Sequence, residues 1–264
     1  MRASTVLAAV STLLLTIPTA KAQDSCATGM GTFIRPNDTV KNMPFTATVK
    51  QTFDQKLADG NAIQGSVRYH IARDASGKIM FENPMCTPGE DGHYHQTFSV
   101  EIYDRAANTR ETWMVTDRKL KVATIVHMPT PQKPSEAEMA LMLADSKTRH
   151  AATMSQTQTE NLGLRDFHGI SAEGTRRTTT VPAGEQGNAL PLISTYETWY
   201  SRKLAVGTLT INDSSRNGRI TAEIEELHQG DPDPSLFSPP KDYIIKDQPA
   251  SPPTTIISTP TAPQ

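Results

Sequence analysis

Apolar and polar residues alternate along the chain from Phe45 onward, and this alternation predicts β-strands. In the first strand, Phe45, Ala47, Val49, Phe53 and Leu57 fall on one face, and threonine, lysine and aspartate residues fall on the other. A strand with one apolar face and one polar face is typical of an antiparallel sheet that buries only one side. Further strands, separated by turn residues, are predicted at about residues 63–71, 78–82, 95–103, 109–116, 120–128, 160–167, 169–181, 192–200, 204–211 and 219–227.

A proline-rich stretch at residues 129–134 interrupts this pattern, and the sequence that follows predicts one helix over residues 135–149. Ser135 and Glu138 have the spacing of a capping box, which starts a helix. The helix body, Met139–Ala144, is apolar on nearly all sides, so we expect other parts of the protein to cover it. The predicted fold is therefore mainly β, a curved antiparallel sheet or half-barrel with one inserted α-helix covering the concave face.

The N-terminal residues predict export. A positive Arg2 precedes the apolar run Val6–Ile17 and the small-residue site Ala20-Lys21-Ala22, which is the pattern of a signal peptide cleaved after Ala22. The run is too short for a transmembrane helix, which needs about 20 residues. We therefore expect a periplasmic or secreted protein without a transmembrane segment. The predicted organisation is a signal peptide at 1–22, an N-terminal segment at 23–43, one β-rich domain at 44–246 and a disordered tail rich in proline, serine and threonine at 247–264.

The chain has only two cysteines, Cys26 and Cys86. In an oxidising compartment they are expected to form a disulfide, although the sequence alone leaves two free thiols as the alternative. The disulfide would close a loop of about 60 residues, worth roughly 4 kcal/mol in the chain-entropy treatment. The formal net charge is −2 and no basic block is present, so we expect no nucleic-acid partner.

Two histidines, His93 and His95, are candidate metal ligands because residues two apart on a strand share a face. A zinc site needs three or four protein ligands. The sequence does not identify the missing ligand among four candidates, and two solvated loop histidines are the alternative interpretation. These candidates are His70, His127, Glu90 and Asp91.

The sequence contains no Gly-x-Ser-x-Gly elbow, no His-Glu-x-x-His motif and no phosphate-binding glycine loop. We therefore predict that the protein is not an enzyme and needs no cofactor. Arg176, Arg177 and the following run Thr178–Thr180 indicate an exposed β-ribbon. An anion or glycan contact on that ribbon is one hypothesis, and an ordinary solvated strand is the other.

Four motifs in the C-terminal third occur in a fixed order: Gly169–Arg176, Pro182–Gly184, Glu197–Ser201 and Asp231–Tyr243. Their pattern, G-x-x-A-x-G-T-R, P-A-G, W-Y-S and D-P-S-L-F-x-x-P-x-x-Y, resembles a family of uncharacterised secreted proteins of soil bacteria. The last motif is also similar to the end of proteins in the LolA-like superfamily. This resemblance implies a periplasmic half-barrel with helices over its concave face and, in the lipoprotein carriers, an apolar cavity.

Five apolar residues are candidates for contact with a ligand: Met139 and Leu143 in the helix, Trp199 in a strand, and Leu236 and Phe237 in the closing motif. Each has an ordinary core role as its alternative. The leading functional hypothesis is an exported, non-catalytic β-scaffold that binds a lipid or another apolar ligand in the concavity. The second is an envelope module with a filled core that binds a protein or a cell-wall polymer. The third is a metal-dependent enzyme centred on the two histidines.

Overall fold

A computed structural model of the chain describes Cys26 and residues 33–115, 121–129, 134–151 and 155–249, with only the backbone for residues 147–151. The predicted signal peptide lies outside the described residues. Helix α1 spans Glu136–Ala151, and a short 3-10 helix spans Pro234–Phe237. The strands are β1 Phe45–Lys56, β2 Ala62–Arg73, β3 Ile79–Pro88, β4 Tyr94–Asp104, β5 Thr109–Met114, β6 Val122–His127, β7 Gln156–Phe167, β8 Ile170–Val181, β9 Leu192–Ser201, β10 Val206–Ser214, β11 Gly218–Gln229 and β12 Ile244–Gln248.

All the described strands belong to one sheet in the order β12-β6-β5-β4-β3-β2-β1-β11-β10-β9-β8-β7. Two meanders, β1–β6 and β7–β11, join where β1 pairs antiparallel with β11, from Phe45 opposite Gln229 to Asp54 opposite Arg219. Because β1 also pairs along its whole length with β2, the two meanders form one continuous surface. The prediction of a mainly β fold with one antiparallel sheet and one helix is confirmed, and the sheet is open, not a closed barrel.

Strand β12 corrects the predicted start of the disordered tail. Ile244–Gln248 pairs parallel with β6, so Asp247 and Gln248 belong to the sheet. The side chain of Asp247 also contacts Nε2 of His127 at 2.8 Å. Backbone pairing with an existing strand explains why a polar segment with little to bury still forms a strand. The rest of the predicted tail, from residue 250, lies outside the described residues.

The largest core cluster lies on the face of β1–β3 that carries Val49, Tyr69, Ile71 and Phe81. The alternation predicted for β1 is confirmed, because Phe45, Ala47 and Val49 are buried in this cluster. Leu204 and Val206, from the turn before β10 and its first residue, extend the same cluster, together with Ile170 at the start of β8. The two meanders therefore share one main core.

The N-terminal segment covers part of this core. The ring of Phe33 meets the rings of Tyr69 and Phe81 edge-on, with centroid distances of 5.8 Å to each. Ile34 is buried, and its backbone N–H donates to the Tyr69 hydroxyl at 2.9 Å. The predicted disulfide is confirmed, because Cys26 and Cys86 are bonded. It ties this segment to β3.

A buried arginine joins three parts of the chain at one edge of the core. The guanidinium of Arg73, at the end of β2, donates to the carbonyl of Met43 at 2.9 Å and to that of Asn37 at 3.3 Å. It also donates to the carbonyls of Leu204 and Ala205 in the turn before β10. Burial lowers the pKa of Arg73. Charge-assisted bonds to four carbonyl oxygens replace the water that the buried group has lost.

Helix α1 begins as predicted but does not bury its apolar residues. The capping box is present, since the Glu138 N–H donates to Ser135 Oγ at 3.3 Å and the Ser135 N–H donates to Glu138 Oε2 at 2.8 Å. Met139 is 42% exposed and Leu143 is 59% exposed, so the expectation that the sheet covers this helix is wrong for the described side chains. Apolar residues lie on nearly all sides of this helix instead of forming one stripe. The sequence therefore predicts burial on all sides but specifies no single face that would pack against the sheet.

Candidate ligand groove beside Leu236

The 3-10 helix Pro234–Phe237 places two adjacent apolar side chains in different environments. Asp233 caps the helix by accepting a hydrogen bond from the Ser235 N–H at 2.9 Å. Phe237 is buried in a second core cluster, against β3–β6. Leu236 points away from that cluster and remains 36% exposed. The turn is therefore anchored by Phe237 and presents Leu236 at the surface.

Leu236 lines a groove of about 390 Å³ on the side of β1–β3 opposite the main core. The strand alternation that buries Val49 and Tyr69 on one face turns the neighbouring positions of β1, β2 and β3 toward this groove. Volumes of about 300–1,000 Å³ are usual for pockets that hold one small molecule. The apolar side chains that face the groove are those of Met80 and Leu236, whereas Ala47 and Ile71 belong to strands that line it but turn their side chains into the main core. Polar lining comes from Thr46, Thr48, His70, Glu82 and His228.

Three polar residues of the groove have side-chain partners. Nδ1 of His70 lies 2.6 Å from Oε2 of Glu82, and the same oxygen accepts from the His70 N–H at 2.9 Å. The hydrogen bond and charge of Glu82 raise the pKa of His70, and the partial burial of the ring opposes this change. Thr48 Oγ1 donates to Glu226 Oε2 at 3.2 Å. The apolar part of the groove is formed by the side chains of Met80 and Leu236.

Beyond the groove, the same side of β1, β2 and β11 carries a row of ion pairs. Glu225 lies 2.7 Å from Arg68 and 3.5 Å from Lys50. The hydrogen bond from Arg68 is the main reason that the pKa of Glu225 is lowered. A second cavity of about 280 Å³, beside the β4–β5 turn, has the charged residues Asp38, Asp104 and Arg105 in its lining. Ion pairs at its wall, such as Arg105 with Asp38 at 3.7 Å, make it less suited to an apolar ligand than the groove.

The five ligand-contact candidates fall in four different places. Leu236 lines the groove, whereas Phe237 packs in the second core cluster. Trp199 packs against Phe167, with ring centroids 5.7 Å apart, and its Nε1 donates to Glu197 at 2.7 Å. Met139 and Leu143 are exposed on helix α1. The structure therefore does not bring these five residues together.

The two candidate metal ligands are not part of a cluster of potential ligands. Nε2 of His95 lies 2.9 Å from the Asp91 carboxylate, and the His93 backbone N–H donates to the same carboxylate at 3.0 Å. The hydrogen bond with His95 contributes most to a lowered pKa of Asp91. Among the described residues, no three or more histidine, cysteine, aspartate or glutamate side chains form a group that could hold a metal ion.

Sequence reasoning missed most of the groove. The sequence predicts His70 only as a candidate metal ligand, and it places Thr46 and Thr48 only on the polar face of a strand. Alternation indicates that these residues lie opposite the core, but the β1–β2–β3 register decides which of them are neighbours. The position of Leu236 over that face depends on the path of the chain after β11. No local signal in the sequence specifies that path.

No family model and no curated relative matches the chain. An uncharacterised conserved protein from Thermus thermophilus is 8% identical, with 78% of this chain and 91% of that chain covered and a TM-score of 0.37. The lipoprotein LppX of Mycobacterium tuberculosis is 12% identical, with 72% and 87% covered and a TM-score of 0.28. A putative outer membrane lipoprotein-sorting protein domain from Vibrio parahaemolyticus is 11% identical, with 74% and 89% covered and a TM-score of 0.19. Because each TM-score is below 0.5, these similarities support no conclusion about this chain. Its fold and its proposed function are argued from its own residues.

Within the described ranges, no helix is both long enough and apolar enough to cross a membrane.

Proposed function

We propose that this protein is an exported, non-catalytic β-scaffold that binds the apolar chain of a small ligand, such as an acyl chain, in the groove beside Leu236. The observation that carries the proposal is an open volume of about 390 Å³ beside the apolar side chains of Met80 and Leu236, built on three strands of a continuous sheet. A pocket of this kind, with a few polar groups around apolar lining, is the usual form of a small-molecule site.

The apolar lining favours a hydrocarbon chain. Met80 and Leu236 come from different elements, and methionine adapts its shape to irregular ligands. The neighbouring carboxylates already have partners, since Glu82 pairs with His70 and Glu226 accepts from Thr48. A ligand whose apolar part lies against Met80 and Leu236 would therefore not have to break these contacts. Burial of apolar area would supply the affinity.

The location of the proposed site differs from the concavity expected from the sequence. The main core fills the other face of β1–β3 with the packed rings of Phe33, Tyr69 and Phe81. We place the ligand instead on the opposite face, in the groove that Leu236 lines. The signal-like N-terminus and the Cys26–Cys86 disulfide both support an oxidising, extracytoplasmic location.

A binding assay with a fluorescent medium-chain fatty acid, in its free form and as a neutral ester, tests this proposal. Thr48→Trp should block the groove, because Thr48 lines it and a strand tolerates an aromatic residue. Leu236→Ala should weaken binding by removing part of the wall. Leu190→Ala is the matched control, since Leu190 is an exposed leucine in the turn between β8 and β9, away from the groove.

We expect the wild-type protein and Leu190→Ala to bind one form of the probe equally well, and Thr48→Trp to bind at least tenfold more weakly. Absence of binding to both forms by the wild type would refute the proposal. Equal affinity in Thr48→Trp and the wild type would place the binding elsewhere and refute the groove as its site. Thermal melting of each variant separates a blocked groove from an unfolded protein.

A further inference from the structure

Strand β8 turns two adjacent arginines to opposite faces of the sheet, and only one of them is neutralised. Arg176 lies 2.8 Å from Glu197 Oε2 and 3.3 Å from Glu160 Oε2. Arg177 is exposed and contacts no carboxylate among the described residues; its guanidinium carbon lies 5.9 Å from the ring centroid of Tyr196. The free positive charge of Arg177 therefore faces solvent beside an aromatic ring.

Arg177 is surrounded by hydroxyl groups on three neighbouring strands. Thr159 in β7 and Tyr196 in β9 lie directly opposite it across the two strand pairs. The surface that we call the hydroxyl face consists of Arg177, Tyr196 and six residues on the same side of the sheet: Thr157, Thr159, Thr175, Thr179, Ser194 and Thr198. Thr157 and Thr179 approach each other to 3.4 Å through their Oγ1 atoms, and Thr175 and Thr198 to 3.1 Å.

The hydroxyl face has a distinctive balance of charge. It contains one cation and no carboxylate, because Glu160 and Glu197 lie on the other side of the sheet with Arg176. Glu173 lies on the same side of β8, two residues before Thr175, and its carboxylate forms a salt bridge with Arg202 at 2.7 Å. A partner complementary in charge therefore carries negative charge at this position.

The remaining groups restrict the chemistry of that partner. A threonine or serine hydroxyl both donates and accepts hydrogen bonds, so a row of them matches a partner that is itself rich in hydroxyls. An apolar partner would bury these hydroxyls without hydrogen bonds, which is unfavourable. Tyr196 is 38% exposed and offers a ring face with a polar end. Sugars combine hydroxyl groups with apolar ring faces, and acidic sugars add a carboxylate.

We propose that the hydroxyl face binds a linear acidic polysaccharide. Arg177 pairs with a sugar carboxylate, Tyr196 stacks against a sugar ring, and the threonine and serine hydroxyls bond to the sugar hydroxyls. The guanidinium is well suited to this pairing because its donors match the two oxygens of a carboxylate. The surface is distinct from the groove beside Leu236, so the two proposals are independent.

Calorimetric titration of the full mature protein with an oligogalacturonate tests the proposal, with a neutral maltooligosaccharide of equal length as the comparison. We expect binding of the acidic probe alone, weakened by added salt because an exposed charge pair is screened. Failure of the acidic probe to bind would overturn the proposal. Equal binding of the neutral probe would overturn the role assigned to the carboxylate.

Four variants locate the site. Arg177→Gln and Tyr196→Ala should each weaken binding of the acidic probe at least tenfold. Arg177→Lys should retain an intermediate affinity, since lysine keeps the charge but not the paired donors, and Tyr196→Phe should stay within about twofold because the ring remains. The two conservative variants also show whether any loss comes from misfolding.

Arg105→Gln is the control for net charge. Arg105 is an exposed arginine in the β4–β5 turn, in the other meander. Its substitution changes the total charge by the same amount as Arg177→Gln and should leave the affinity for oligogalacturonate unchanged. An equal loss in both variants would show a general electrostatic effect and overturn the assignment to the hydroxyl face.

Discussion

The Tyr69 hydroxyl accepts a hydrogen bond from the Ile34 backbone N–H at 2.9 Å, inside the main core. This bond connects a segment without regular secondary structure to the middle of β2. Burial raises the pKa of Tyr69, so the hydroxyl stays neutral. The tyrosine therefore contributes both a core ring and the acceptor that holds the N-terminal segment in place.

Tyr69→Phe should keep the packing of the ring and leave the Ile34 N–H without its acceptor. A buried donor without a partner costs about 1–3 kcal/mol, so we expect the free energy of unfolding in urea to fall by that amount. Tyr94→Phe removes an exposed hydroxyl at the start of β4 and serves as the control. Equal stability of the two variants would contradict the role assigned to the hydrogen bond.

Position 174 in β8 requires a glycine because the ring of Trp199 packs against it. A Cβ atom at this position would lie 2.8 Å from the indole ring. Gly174→Ala should therefore displace the ring and reduce stability by about 1–3 kcal/mol, measured by chemical denaturation. Gly207→Ala is the matched control in β10, because a Cβ there would meet only the Trp199 carbonyl oxygen at 3.9 Å. The prediction fails if both substitutions have the same effect.

The His70–Glu82 pair should make stability depend on pH. The pKa of His70 is raised in the folded state, so its contribution is fully present below the unfolded value of about 6.5 and is lost as the pH rises through the folded value. Both side chains are partly exposed, and we expect less than about 1 kcal/mol. NMR titration of His70 in the wild type and in Glu82→Gln measures the effect. An equal His70 pKa in the two proteins would contradict it.

Loss of the Cys26–Cys86 disulfide should destabilise the whole domain. The bond spans a sequence separation of 60, for which the chain-entropy treatment gives about 4 kcal/mol. The double variant Cys26→Ser, Cys86→Ser should therefore unfold at a lower urea concentration. Addition of a reductant should lower the stability of the wild type and leave the double variant unchanged, which controls for other effects of reduction.

The sequence is informative where one local rule decides the structure. Alternation at Phe45, Ala47 and Val49 predicts the buried face of β1, and the Ser135–Glu138 spacing predicts the start of the helix. Each of these features depends on neighbours within a few residues, so a single sequence can reveal it.

The candidate sites depend on relations that are not local. His70 and Glu82 meet because β2 and β3 pair in one register, and Arg177 faces Tyr196 because of the register between β8 and β9. Helix α1 shows the converse, since Met139 and Leu143 are apolar and predict burial, but they are 42% and 59% exposed. An apolar residue has a tendency to be buried, but the tertiary fold determines whether another surface lies against it.

The pairing of β1 with β11 has a consequence for how the chain folds. Thr48 and Glu226, joined across this pair, are 178 positions apart in the sequence. Contacts with large sequence separation form slowly, because a long loop must close before the pairing stabilises it. During synthesis, β1 therefore lacks one of its two neighbours until nearly all of the described chain has been made. Completion of the sheet is therefore expected to be a late step in folding, after the strands of both meanders have been made.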